Sequence, residues 1–166
     1  MSISNVWNLG VHMPKRGFFG IGIYNPKTET NVGTLWRSAH NFGAAFIFTI
    51  GKRYRREPSD TTKAWRSIPL LTFDTVTDFR IHIPLDTRII GIEQTPRSRP
   101  LANWIHPDRV IYLLGAEDFG LPSDVLDLCN AVVAIESPMC FNVAAAGSIV
   151  MYDRAVKQHD RFLDHD

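Results

Sequence analysis

The sequence predicts an α/β fold, with one open, mainly parallel sheet and helices on both of its faces. Apolar, partly β-branched runs recur along the chain, and most are continuous, as expected for strands that are buried on both sides. Helical patterns lie between or after these runs, which is the order that a parallel sheet requires. The 166 residues, of which 45% are apolar, suffice for one domain with a sizeable core.

The predicted elements follow one another along a single domain. Five strands are predicted, over residues 18–24, 44–50, 88–92, 110–114 and 131–135. The clearest helix covers 31–42, with Asn31 as its N-cap and Gly43 after its last turn. Other helices are predicted over 59–65, 74–80, 123–128 and 141–158. We expect the domain to cover 1–166, with its core within about 17–158.

Cysteine usage and hydropathy favour a cytoplasmic protein. Cys129 and Cys140 form neither a CxxC pair nor a disulfide framework, and no histidine stands at metal-ligand spacing from them. No apolar run approaches the ~18 residues of a membrane span, and the first residues lack the pattern of a secretory signal. We therefore expect reduced thiols, no metal and no membrane partner.

The segment 51–66 is strongly basic, although the whole chain carries a net charge of only +1. It has a net charge of +4, and Tyr54 and Trp65 lie among its cations. Such a composition suits a polyanion whose bases can stack, but it equally suits a solvated loop. The cations that would contact such a polyanion are Lys52, Arg53, Arg55, Arg56, Lys63 and Arg66.

Three further segments combine small residues with polar groups after predicted strands. In the first, 31–37, one helix face is apolar and is expected to lie in the core, while Gly33 and Arg37 share the opposite face. Glycine costs a helix roughly 1 kcal/mol relative to alanine. Gly33 would leave room for a ligand or a backbone beside Arg37. Alternatively, Asn31 is only a cap and Arg37 only a surface charge.

The second and third segments follow their strands directly. In residues 114–122, two glycines flank Glu117, which predicts either a tight loop with exposed amides or a plain turn before a helix. Residues 138–147 lead into a helix whose first turns are almost wholly apolar and are therefore expected to be buried. Asn142, in the first of these turns, needs hydrogen-bond partners there, as a structural clamp or as a site residue.

Together, these segments resemble the motifs of the SPOUT superfamily of RNA methyltransferases, in its SpoU (TrmH) branch. The first motif, N-x-G-x-x-x-R-x-A-x-x-F-G-A, is matched completely by residues 31–44. The second, L-G-x-E-x-x-G-L, is matched by residues 114–121. The third, S-L-N-V-S-x-A with a later tyrosine and acid, corresponds to residues 140–146, followed by Tyr152 and Asp153.

The resemblance implies a deep trefoil knot near the C-terminus, S-adenosylmethionine as cofactor, and a homodimer through the motif-one and C-terminal helices. It implies methyl transfer to a ribose 2′-hydroxyl of RNA. Stand-alone members of the branch often act on tRNA, which favours tRNA over rRNA. By analogy with the family, the adenosine would be held by the loop backbones at Ile92, Glu93, Gln94, Leu114, Gly115, Ile135, Cys140 and Phe141.

The resemblance also implies catalytic roles for Asn31, Arg37, Glu117 and Asn142. A ribose hydroxyl is a poor nucleophile until its proton is withdrawn. An arginine stays protonated, so Arg37 would clamp the neighbouring phosphate and the hydroxyl rather than act as a simple base. Asn31 and Asn142 would orient the sugar and the active loop. Glu117 would hold Arg37 or Asn31.

Two other functions stay open at this stage. In the third motif, Cys140 and Ala144 replace the usual serines and the preceding loop is shorter, which would fit an RNA-binding protein without catalysis. Such a protein would show no binding in a titration with S-adenosylmethionine. An ordinary nucleotide-binding domain is the other alternative. Gly20 and Gly22 lie inside a strand, and no third glycine opens a helix, so the dinucleotide fingerprint fails.

Overall fold

The computed structural model describes residues 17–52 and 67–163, with side chains to residue 158, and in these ranges it shows a seven-stranded sheet with four α-helices. The strands are β1 Phe18–Tyr24, β2 Phe46–Ile50, β3 Leu70–Phe73, β4 Arg88–Ile92, β5 Arg99–Pro100, β6 Arg109–Leu114 and β7 Ala131–Ala134. The helices are α1 Glu29–Phe42, α2 Val76–His82, α3 Ser123–Leu128 and α4 Val143–Leu163. All five predicted strands are confirmed.

The strands lie in the order β3-β2-β1-β6-β4-β7-β5, and every neighbouring pair is parallel. Strands β2 and β3 lie in order on one side of β1. Strand β4 lies on the other side of β1, and β6 lies between β1 and β4. Open parallel sheets bind ligands beyond the carboxyl ends of their strands, where the strand order reverses. In this sheet the ends of β4, β6 and β7 are neighbours at that place.

Apolar side chains cover both faces of the sheet. One cluster joins the sheet to α1 and α4 through residues such as Ile21, Leu35 and Val150. A second cluster on the other face joins it to α2 and α3 and includes Phe48 and Phe79. Strands that are covered on both sides need apolar residues throughout, which explains their continuous runs. The predicted fold class is confirmed, and the knot stays a prediction.

Helices α1 and α4 pack closely because α4 has a glycine where it meets α1. A Cβ atom on Gly147 would collide with the side chain of Leu35. On the same pair of helices, Ser148 Oγ donates a hydrogen bond to Ser38 Oγ at 2.8 Å. This packing fixes the first motif of the sequence against the third.

Several element boundaries differ from the prediction. Helix α1 begins at Glu29, and its N-cap is Thr28 rather than Asn31, which lies inside the first turn. The amide of Ala44 bonds to the carbonyl of Ala39 and so still belongs to the end of α1, which is why β2 begins at residue 46. Gly43 has a φ of 73° and ends the helix as predicted. Strands β3 and β5 were not predicted, because these edge strands are short and partly exposed.

The first turns of the last helix were expected to be buried, and this prediction is wrong for the single chain. The helix begins at Val143 rather than at residue 141. Ala145 in its first turn is exposed, and so are Tyr152 and Val156 further along the helix. Asn142 is exposed as well, because it is the residue that caps the helix end.

Most of the basic segment 51–66 lies outside the described residues. Lys52 is described, and its side chain is exposed. The helix predicted over 59–65 falls in the range that is not described. The same holds for Arg53, Arg55, Arg56, Lys63 and Arg66.

Candidate active site

A cavity of about 300 Å³ opens at the carboxyl ends of β4, β6 and β7. Its walls are the loops that follow these strands, together with the start of α4. The structure brings all eight residues that were predicted to hold the adenosine to this one cavity. They are Ile92, Glu93, Gln94, Leu114, Gly115, Ile135, Cys140 and Phe141.

The loop after β6 has a shape that depends on two glycines. A Cβ atom on Gly115 would collide with the backbone of Gly120. Gly120 has a φ of 61°, in the left-handed region that favours glycine, and its amide donates to the carbonyl of Ala116 at 2.8 Å. The sequence predicted a tight loop here, and the structure confirms it.

Two side chains after β4 tie the three loops of the cavity together. Glu93 Oε2 accepts a hydrogen bond from the amide of Leu121 at 2.8 Å, which joins the loop after β4 to the loop after β6. Gln94 Nε2 donates to the carbonyl of Ile135 at 3.0 Å, which joins it to the loop after β7. Glu93 and Gln94 were predicted only as backbone contacts. Sequence reasoning missed these side-chain bonds because each joins segments far apart in the chain.

Asn31 and Asn142 meet beside the cavity entrance formed by the start of α4. Asn142 Nδ2 donates a hydrogen bond to Asn31 Oδ1 at 3.0 Å. Asn142 Oδ1 accepts from the amides of Ala144 and Ala145 at 3.0 and 3.2 Å and thereby caps α4. The two predicted asparagines are thus brought together, and their amides connect the first motif to the third.

The structure does not bring Arg37 into the cavity of its own chain. Arg37 is exposed on α1 and is not among the residues that line the cavity. Glu117 does line the cavity, and its side chain is exposed. Within the described residues, no hydrogen bond or ion pair joins Glu117 to Arg37 or to Asn31, so that role of Glu117 stays a prediction.

The neighbouring acid, Asp118, has a partner from another segment. Lys27 Nζ, in the loop between β1 and α1, donates to Asp118 Oδ2 at 2.7 Å. The hydrogen bond and the charge of Asp118 raise the pKa of Lys27, and Glu117 adds a smaller effect in the same direction. Exposed ion pairs add little to stability. This one does attach the cavity wall to the loop that leads into α1.

The acid of the third motif lies away from the cavity, in a buried polar cluster under α4. His106 Nε2 hydrogen-bonds Asp153 Oδ2 at 2.7 Å, and its Nδ1 bonds the hydroxyl of Tyr112. Arg154 donates to the carbonyl of Pro107 at 2.7 Å. Burial lowers the pKa of His106, against the opposing effect of Asp153. The cluster anchors α4 on the segment before β6.

Cys129 is a half-buried free thiol, whereas Cys140 is exposed and lines the cavity. Burial raises the pKa of Cys129 to about 11, and its Sγ contacts the carbonyl of Val125 at 3.4 Å.

Across residues 17–52 and 67–163 there is no group of three or more His, Cys, Asp or Glu residues that could hold a metal ion. In the same ranges, none of the helices combines the length and the hydropathy of a membrane span.

The profile of the SpoU rRNA Methylase family matches residues 19–152 of this chain. The chain belongs to that family. The match spans all three motifs, so the resemblance that the sequence suggested is confirmed. The loop after β6 and the segment that opens α4, which form part of the cavity, therefore carry motifs two and three, and α1 carries motif one.

Individual relatives agree with this assignment. The tRNA (guanosine(18)-2′-O)-methyltransferase TARBP1 of Mus musculus is 27% identical over 143 residues. The match covers 78% of this SpoU-family chain but only 9% of that much longer protein.

Solved structures of SpoU proteins share the fold. The A. aeolicus TrmH/SpoU tRNA modifying enzyme superposes with a TM-score of 0.78 at 14% identity, covering 89% of this chain and 78% of its own. A structure that concerns 2-OH methylation of C/U34 on tRNA has a TM-score of 0.74 and 21% identity, and the match covers 88% of this chain and 99% of that chain. AviRb from Streptomyces viridochromogenes, in complex with the cofactor AdoMet, has a TM-score of 0.72 and 20% identity, and the match covers 89% of this chain and 60% of that chain.

Proposed function

We propose that this chain transfers a methyl group from S-adenosylmethionine to a ribose 2′-hydroxyl of tRNA. The observation that carries the proposal is that all eight predicted cofactor residues line one cavity at the ends of β4, β6 and β7, in a chain of the SpoU rRNA Methylase family. The names of TARBP1 and of two structural neighbours specify tRNA, which favours tRNA over the rRNA of the family's description.

The walls of the cavity fit S-adenosylmethionine. Ile92 and Leu114 are buried and apolar, as the faces of an adenine require. The carboxylates of Glu93 and Glu117 suit a ligand with a net positive charge. When bound, the cofactor supplies an activated methyl group on a positively charged sulfur atom. The loss of the two motif-three serines leaves the cavity formed, since Cys140 lines it and Ala144 lies in the core.

The polar residues of motifs one and three would act on the ribose. The guanidinium of Arg37 would bind the phosphate beside the target and stabilise the negative charge that develops on the 2′-oxygen as its proton leaves. The hydrogen bond between Asn142 and Asn31 would hold the start of α4 and the first turn of α1 in register. Much of the rate would come from this alignment of the reacting groups.

Arg37 requires a second chain if it is to reach a cavity. Its own cavity does not include it, and the helices α1 and α4 expose apolar groups that fit an interface. Tyr152, which is 62% exposed, packs against Phe42 of α1 with ring centroids 6.5 Å apart, and Val156 is 40% exposed on the same helix. A homodimer through α1 and α4 would cover these side chains and would present Arg37 to the cavity of the partner subunit.

The basic segment 51–66 would contact the RNA backbone. Lys52, at its described end, is exposed, and the sequence of the rest is strongly cationic. Changing Arg53, Arg55 and Arg56 together to alanine is expected to weaken tRNA binding and to flatten its salt dependence. The same affinity and the same salt slope in the triple variant would show that the segment is a solvated loop.

The function is tested by mapping 2′-O-methylated nucleotides in RNA from cells that lack this chain. We expect one tRNA position to lose its ribose methyl group, and purified chain with S-adenosylmethionine to restore it in vitro. Binding of the cofactor without methylation of either total tRNA or total rRNA would contradict the proposal. A calorimetric titration that shows no cofactor binding at high micromolar concentration would instead favour the non-catalytic RNA-binding alternative.

A further inference from the structure

Phe119 exposes its aromatic ring to solvent at the rim of the candidate active site. Its side chain is 89% exposed, which is the highest exposure of any large hydrophobic residue within the described ranges. It also lines the cavity. Aromatic side chains ordinarily bury a large area, so an aromatic ring that is kept exposed at this place needs a reason.

The loop that carries Phe119 is fixed on both sides of it. Asp118 is held by the ion pair with Lys27 at 2.7 Å. Gly120 is held by its hydrogen bond to Ala116 at 2.8 Å, and the next amide is held by Glu93. These bonds fix the backbone on both sides of Phe119 and hold the loop that shapes the cavity. The loop therefore presents Phe119 outward.

The proposed chemistry places a nucleobase beside this rim. The 2′-oxygen must come within roughly 3–3.5 Å of the methyl group that it attacks, so the target ribose has to lie at the mouth of the cavity. The base is attached to the adjacent carbon of the same ribose. Bases that proteins reach in RNA are unstacked from their neighbours and are commonly stacked again on an aromatic side chain.

Among the described residues, two exposed aromatic side chains line the cavity, Phe119 and Phe141. Phe141 is only 46% exposed and lies beside Cys140 at the approach to α4, on the wall assigned to the cofactor. Phe119 is almost free of protein contact and faces the solvent from which RNA arrives. We propose that Phe119 is the stacking platform for the nucleobase of the methylated nucleotide, an inference that rests on the proposed function.

A phenyl ring has no hydrogen-bonding group, so this subsite contributes affinity and position rather than reading the identity of the base. The test compares Phe119→Ala, Phe119→Leu and Phe119→Tyr. The matched control is Leu85→Ala, since Leu85 is 87% exposed but precedes β4 and so lies at the opposite edge of the sheet. The substrate is total tRNA from cells that lack this chain, with S-adenosylmethionine at saturation.

We expect Phe119→Ala to raise the KM for this tRNA about tenfold, as for the loss of one base–aromatic stack. Phe119→Leu should show a similar rise because it keeps an apolar side chain without a ring face. Phe119→Tyr and Leu85→Ala should remain within about twofold of the wild type, which is less than one such stack contributes. Cofactor affinity, measured without RNA, and the oligomeric state, measured by light scattering, should be the same in all variants.

An unchanged KM in Phe119→Ala, or an equal rise in Phe119→Tyr, would overturn the stacking role. Loss of cofactor affinity would assign the ring to the cofactor site, and a change of oligomeric state would assign it to a subunit interface. Either result also overturns the inference. A wild-type chain that methylates no RNA would refute the proposed function itself. In that case, equal tRNA affinity of wild type and Phe119→Ala by fluorescence anisotropy would overturn the stacking role as well.

Discussion

The cavity at the ends of β4, β6 and β7 and the outward face of α1 differ in how complete they are within one chain. The loops of the cavity are closed by glycines and tied to one another through Glu93 and Gln94. The outward face of α1 presents Arg37 to solvent, and no bond links it to the other predicted site residues that the structure describes. In the proposed homodimer, the cavity of one chain would hold the cofactor and a second chain would complete the catalytic site.

Removal of Arg37 should have the largest effect on the reaction. We expect Arg37→Ala to lower kcat by about 100-fold or more, as for the loss of a group that stabilises developing negative charge. Cofactor affinity should not change, because Arg37 would contact the RNA phosphate and the 2′-oxygen rather than the cofactor. Single-turnover assays with tritiated cofactor measure the first quantity and calorimetry the second. Arg88→Ala is the control, since Arg88 is also exposed but lies at the amino end of β4. Near-normal transfer by Arg37→Ala would remove Arg37 from the mechanism.

A side chain that fills the cavity should weaken cofactor binding, which Arg37→Ala should leave unchanged. Ala146 lines the cavity from α4, so Ala146→Phe should occupy part of the space and weaken cofactor binding on the order of 100-fold, equivalent to ~2.7 kcal/mol. Ala146→Ser is the control of nearly unchanged volume, and circular dichroism checks that both variants fold. Full cofactor affinity in Ala146→Phe would show that the cofactor lies elsewhere.

Variants of Asn142 separate the capping of α4 from the link to α1. Asn142→Ala should lose both, with a fall of about 1 kcal/mol in the free energy of unfolding. Asn142→Ser keeps a capping oxygen, so its stability should stay close to the wild type, while the hydrogen bond to Asn31 is lost. We expect both variants to slow methyl transfer by about 2- to 10-fold, as for one hydrogen bond. Wild-type rates in Asn142→Ser would restrict Asn142 to the role of a cap.

The buried cluster under α4 should produce a modest dependence of stability on pH. Burial lowers the pKa of His106 in the folded chain below its usual 6.5, so the unfolded chain binds the proton more readily. Neutral His106 therefore contributes fully to the free energy of unfolding above pH 6.5, and this contribution is lost progressively as the pH falls below 6.5. Urea unfolding at pH 7.5 and pH 5.5 should show this loss in the wild type and a smaller loss in His106→Gln. An identical loss in His106→Gln would place its cause elsewhere.

Much of this architecture could be predicted from local patterns. The continuous apolar runs predicted both the first and the last residue of β1 and of β4. Strands that are covered on two faces are apolar along their length, so the limits of the apolar run mark the limits of the strand. Strands β3 and β5 escaped prediction, since edge strands of four and two residues carry too short a pattern. The resemblance to the SpoU branch predicted the cavity residues, and they meet because β4, β6 and β7 end at the same edge of the sheet.

The errors concern interactions between distant segments. Asn31 was predicted as an N-cap because its residue type favours that position, yet its side chain accepts a hydrogen bond from Asn142 and Thr28 takes the capping position. Asn142 was expected to be buried because the helix after it is apolar. The structure exposes it at the helix end, on a surface that one chain leaves uncovered. Pairings of this kind depend on the whole fold and leave no local signal.

The division of the site between two chains is tested most directly by mixing two inactive variants. An Arg37→Ala subunit and an Ala146→Phe subunit, given different affinity tags and purified together as a heterodimer, should recover about half of the wild-type activity per dimer. One of its two equivalent sites would combine an intact cavity with the partner's intact Arg37. If Arg37 served the cavity of its own chain, both sites would carry a defect, and a heterodimer no more active than its parents would contradict the account.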